Sequence, residues 1–103
     1  MAVRTMENKA AVAALSALAF ETRLKAVQLL ASVGDDGLPA GELSRRLGVQ
    51  QNTLSDHLAA LARAGLLTAE RRSRSVIYRA NVDAVTDLIS FLNDRCTVRP
   101  KAA

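Results

Sequence analysis

Between positions 51 and 57 six short polar side chains, Gln51, Asn52, Thr53, Ser55, Asp56 and His57, crowd around a single leucine. Gln51 and Asn52 can bond adenine edges, while Asp56 can accept from cytosine N4 but would repel a phosphate. Helical spacing puts Asn52 and Asp56 opposite a stripe of Leu54, Leu58 and Leu61, with Ser55 and His57 on its flanks. The bland alternative is a polar helix surface or a set of capping groups. His57 serves equally well as a base contact or as a partly buried group bonded to backbone. Arg71, Arg72 and Arg74 form a second cluster, three arginines in four positions. They suit phosphates, since without acidic partners they repel one another. Three contacts from each half of a dimer would give a salt slope of about −5 in log affinity. The third candidate is Cys96, the only thiol. It is either a small apolar residue at a helix end or, with a second copy across a dimer, a disulfide or two-coordinate soft-metal site. Arg95 and Arg99 would favour its thiolate, and the helix dipole would oppose it. One His, one Cys and no glycine-rich phosphate loop or paired-carboxylate motif leave nothing for catalysis, so an enzyme is not expected.

The elements that must hold these groups follow from periodicity. Pro39 to Gly65 reads as a helix-turn-helix. Pro39 suits a first helical position, Leu43 and Leu47 share a face, Gly48 allows the turn and Val49 plugs it. Ahead of it lie an Ala-rich helix over 6–18 and a second over 20–32, with Phe20, Leu24, Val27 and Leu30 or Ala31 inward and Arg23 outward. Gly34 to Gly37 form a loop. Behind it, strands over 67–70 and 75–79 flank an RRSRS tip, supported by Leu66, Ile77 and Tyr78. That hairpin reads as a wing. Asn81 caps a last helix, and residues 97–103 read as a tail. The fold class expected is mainly α, a winged helix-turn-helix of about five helices plus a two-stranded β-hairpin wing. The apolar stripe of the last helix is wider than one subunit needs. Val12, Leu15 and Leu18 with Val85, Leu88, Ile89 and Leu92 are therefore the expected homodimer interface.

Composition agrees. Residues 1–103 make one domain, no apolar run approaches the length of a membrane span, and the start, MAVRTMENKAA, lacks the apolar core of a signal peptide, which points to the cytoplasm. The net charge is +4, yet residues 45–79 alone carry seven arginines against Asp56 and Glu70. The basic charge is thus concentrated on the helix-turn-helix and wing, as a double-stranded DNA partner requires.

Three stretches together resemble the ArsR/SmtB family of dimeric bacterial repressors: LAFETRLKAVQLL at 18–30, LGVQQNTLSDHLAALARAGLL at 47–67, and VIYR at 76–79. The resemblance implies a homodimer on a pseudo-palindromic operator, repressing by promoter occlusion and released by an inducer. It also implies where a sensor would lie. The family's Cys-Val-Cys site falls on Pro39, Ala40 and Gly41, so it is absent, and the last helix has no His beside Asp83, Asp87 and Asp94. The arsenic-responsive branch with similar LPAGEL and NTLS-x-HL sequences carries vicinal cysteines where this chain has Cys96 alone. A three-thiolate arsenite site cannot be built from one Cys per subunit; the inducer expected at Cys96 is a thiophilic metalloid such as arsenite held in some other way, a soft metal, or an oxidant. The rival reading is a winged helix that has exchanged DNA for a protein partner.

Overall fold

The computed structural model describes residues 6–98. In chain order it has α1 (Asn8–Leu18), α2 (Glu21–Val33), one 3-10 turn (Gly34–Asp36), β1 (Leu38–Pro39), α3 (Ala40–Leu47), α4 (Gln51–Arg63), β2 (Leu67–Arg72), β3 (Ser75–Ala80) and α5 (Val82–Cys96). The five helices and the hairpin wing agree with the sequence reading. Of the expected tail, residues 99–103, with Arg99, lie outside the described residues.

The core is built where α2, α3 and α4 meet. Leu30, Leu43, Leu54, Leu58, Leu61 and Leu66 are fully buried there. Removing one leucine from water contributes about 1.5–3 kcal/mol, so the three from α4 dominate its attachment. Between α3 and α4, Gly48 takes a left-handed φ of 68°. The Ser44 hydroxyl donates to the Val49 carbonyl across this turn, closing the helix-turn-helix from within.

The inner face of α1 is Ala11, Ala14 and Ala17, while Val12 and Leu15, two residues of the expected interface, point outward. Several expectations change. On α2 the buried residues are Ala26, Val27 and Leu30; Phe20, Leu24 and Ala31 are exposed. Phe20 precedes the helix in extended backbone, so its side chain does not continue the helical stripe. Pro39 is not the first residue of α3 but an extended residue before it, with φ −74° and ψ 159°. A proline φ suits helix and edge strand alike, so its ring could not decide between them. Pro39 and Leu38 add a third strand, giving the antiparallel order β1-β3-β2, with Leu38 opposite Tyr78 and Pro39 opposite Ile77. Gly37 makes that approach possible: a Cβ there would lie 2.5 Å from the Tyr78 carbonyl oxygen.

The wing strands run further than their alternation suggested. Arg72 pairs with Ser75, so the tip is only Ser73 and Arg74, with Ser73 at a positive φ of 53°. Asn81 caps α5 by accepting from the Ala84 amide at 3.3 Å and donates to the Gly65 carbonyl at 2.8 Å, tying α5 to the end of α4. On α5, Leu88 is turned into its own subunit at 5% exposure, which removes it from the expected interface, while Val82 and Ile89 stand free.

Candidate nucleic-acid interface

The leucine stripe fixes which side of α4 faces out. Gln51, Asn52, Thr53, Ser55 and Asp56 are all exposed at its N-terminal end. Asn52 Oδ1 accepts the Thr53 amide at 2.9 Å, and the Ser55 hydroxyl donates to the Gln51 carbonyl at 2.9 Å. Gln50 precedes the helix without a side-chain cap, and the first turn holds no acidic group. The positive end of the helix dipole is thus open towards an anion.

One helical face continues from Asn52 through Asp56 to Ala59 and Arg63, all exposed. Ala59 escaped the sequence reading and Arg63 entered it only as one of the seven arginines, because a small apolar residue and a lone arginine give no cluster. The 3.6-residue period starting at Asn52 would have found them. A methyl group such as that of Ala59 matches the thymine methyl, and Arg63 suits a phosphate.

His57 departs from the group. It is half-buried, and its Nδ1 accepts from Arg23 Nε of α2 at 2.9 Å. Its partner is thus a side chain rather than backbone. The Phe20 ring lies 5.9 Å from the imidazole, and the Arg23 guanidinium stands 4.0 Å over the same ring. Arg23 is accordingly half-buried, not the outward group its place in the sequence suggested.

The arginines also divide. Arg45 and Arg46 both bond Glu42, the latter at 2.8 Å. The hydrogen bonds from Arg45 and then Arg46 push the Glu42 carboxyl down to about 2. Glu70 pairs with Arg79 at 2.8 Å and Arg72 at 3.6 Å, and these guanidiniums, Arg79 foremost, hold its carboxyl below its usual range. Arg79 also donates to the Asp35 carbonyl at 2.7 Å. The wing arginines therefore do have an acidic partner, contrary to expectation: Glu70, three residues from the tip on β2, reaches Arg72. Among the described residues, Arg63, Arg71 and Arg74 are bound to no carboxylate. All three lie after the polar end of α4 in sequence, Arg63 as the last residue of α4 and Arg71 and Arg74 on the wing.

Cys96 is exposed at the last position of α5. It borders an apolar groove of about 490 Å³ between α1 and α5, lined by Val12, Leu15, Phe91 and Leu92 with Arg95 at its edge. The Arg95 guanidinium is 5.4 Å over the Phe91 ring. No group of three or more His, Cys, Asp or Glu among the described residues is placed to hold a metal ion, so one subunit alone does not fit such a centre. No helix among them is long and apolar enough to cross a membrane.

Residues 18–70 match a family described as a helix-turn-helix domain. The transcriptional activator HlyU of Vibrio cholerae is 38% identical over 95 residues, covering 90% of this chain and 85% of that protein. The biofilm growth-associated repressor of Agrobacterium fabrum is 33% identical over 89 residues, covering 84% and 74% respectively. An ArsR-like transcriptional regulator from Rhodococcus sp. RHA1 has a similar structure, with a TM-score of 0.70 at 26% identity over 84% of this chain and 78% of that one.

Proposed function

The chain belongs to the ArsR family of winged helix-turn-helix transcription regulators, and from that premise we propose that two copies bind a pseudo-palindromic operator and repress by occluding a promoter. As a member it is a DNA-binding regulator and not an enzyme. The observation that carries the operator reading is the exposed row Asn52, Asp56, Ala59 and Arg63 on a helix anchored by three buried leucines. Two such helices about a two-fold axis enter successive major grooves about 34 Å apart. The exposed Val12, Leu15 and Ile89, with partly buried Leu18, Val85 and Leu92, are the surface on which the copies meet. Its place of work is the cytoplasm, beside the DNA.

Selection of tight-binding duplexes from a random pool tests the reading. A two-fold-related consensus is expected, with sequence preference lost in the Gln51→Ala, Asn52→Ala variant. Failure to select any duplex would favour a protein partner for the basic face. Relatives bear the names of both activators and repressors, so the sign is checked separately, by a reporter under the selected operator.

The switch we assign to Cys96, exposed beside the groove where the copies meet. An added two-electron oxidant such as peroxide would take two electrons and two protons from a pair of thiols, leaving an inter-subunit disulfide. Operator binding with peroxide, a soft metal ion or arsenite is compared in wild type and Cys96→Ser. Release only in the wild type is expected with peroxide, and identical release in both would remove Cys96 from the mechanism.

A further inference from the structure

The leucine stripe sets how deeply α4 sits and which side of it faces out, but apolar contacts are non-directional and define its fine rotation less sharply than a hydrogen bond does. Side-chain tips lie about 6 Å from a helix axis, so a rotation of about 20° would carry them about 2 Å. That is far more than a base hydrogen bond tolerates. A directional contact from outside the helix narrows the angle further. Among the described residues α4 has one long-range side-chain hydrogen bond of that kind, Arg23 Nε to His57 Nδ1 at 2.9 Å. Its donor is itself immobilised, with the guanidinium 4.0 Å over the Phe20 ring. The same ring lies 5.9 Å from the imidazole, so the three groups form one cluster bridging the start of α2 to the middle of α4. His57 is next to Asp56, at the centre of the outward row.

We propose that Arg23 is a positioning residue for base reading, which fixes the rotation of α4 through His57 and the Phe20 ring rather than by touching DNA. The proposal rests on the operator reading above. It separates two roles that an arginine near a recognition helix can have. A phosphate contact adds sequence-independent affinity and steepens the salt dependence; a positioning contact adds discrimination and leaves the salt dependence alone.

The test uses the full chain and the operator selected on it. Affinity for operator and for an unrelated duplex, salt slope and melting temperature are measured for wild type, Arg23→Ala, Arg23→Lys, His57→Ala, the double Ala variant and His57→Asn. Loss of a charge-assisted hydrogen bond predicts a roughly ten-fold fall in operator affinity for either single Ala variant. Unrelated duplex affinity and salt slope stay as they are, and the double variant is no worse than the singles. His57→Asn, whose Oδ1 can accept near the place of Nδ1, recovers most of the loss. Arg23→Lys keeps the charge but lacks the planar group and Nε–H, so it behaves like Arg23→Ala. Additive losses would overturn the proposal, as would operator affinity that survives Arg23→Ala. So would a salt slope that falls by about two per dimer in Arg23→Ala and is restored by lysine, the mark of a phosphate contact. If the wild type selects no duplex, the operator reading fails first and takes this one with it.

Discussion

Glu42 shows how one carboxylate alters what a run of charge means. Residues 45–79 hold seven arginines, yet Glu42, just ahead of them, engages Arg45 and Arg46, and Glu70 engages Arg72 and Arg79. Spacings of three and four on α3 are a local signal of the first fork, which a charge count beginning at Arg45 passed over. The second depends on two strands lying side by side. Because the Glu42 carboxyl is lowered from 4.5 to about 2 when folded, its contribution to stability is complete above the ordinary value. It is lost as pH falls from about 4.5 through about 2. Glu70 adds loss of the same sign. Thermal melts between about pH 6 and pH 2 should therefore show a shallower acid-side decline for Glu42→Gln than for wild type. Parallel curves would show that the fork contributes nothing to folding. His57 illustrates the opposite limit of sequence reading: its partner Arg23 is 34 positions away, and no local pattern announces the pair.

At the scale of elements, what repeats locally could be read and what pairs at long range could not. The period of Leu54, Leu58 and Leu61 and the glycine after α3 defined the helix-turn-helix almost to the residue. By contrast, the strand nature of Leu38 and Pro39 exists only because Tyr78 and Ile77 lie opposite. Alternation around RRSRS could not show whether the arginines sat at the tip or on the strands. Gly37→Ala tests β1 directly. A Cβ there would lie 2.5 Å from the Tyr78 oxygen at a φ of 63°, so the loss should be at least about 2 kcal/mol. Urea unfolding reads it, and an unchanged midpoint would mean that β1 is not held as described. For the wing, Arg71 and Arg74 carry the charge left unpaired. Replacing both by Ala should make the salt slope shallower by about 3.6 per dimer, four phosphate contacts in all. Arg72→Ala should change it little. Equal effects from all three would mean that Glu70 does not hold Arg72 when DNA is bound.

For the whole molecule, assembly through the terminal helices is the proposal made above, while the concentration of basic charge in the middle of the chain was legible and agrees with membership of a DNA-binding family. The faces were less so, because alanine is apolar but small, and only the structure shows Ala11, Ala14 and Ala17 inside with Val12 and Leu15 out. Light scattering should give twice the 11.0 kDa chain mass. Val12→Asp with Ile89→Asp should halve that and weaken operator binding; an undisturbed dimer would place the interface elsewhere. The two-residue β1 has a further consequence at this scale. Through it, and through Arg79 on the Asp35 carbonyl, the wing is fastened to the segment that launches α3. The recognition helix and the wing tip therefore work as the two jaws of a set caliper. On the operator reading proposed above, one inserted or deleted base pair between the step assigned to α4 and the flank assigned to Arg71 and Arg74 would be followed by neither jaw, so operators are expected to keep that interval constant even where their bases vary.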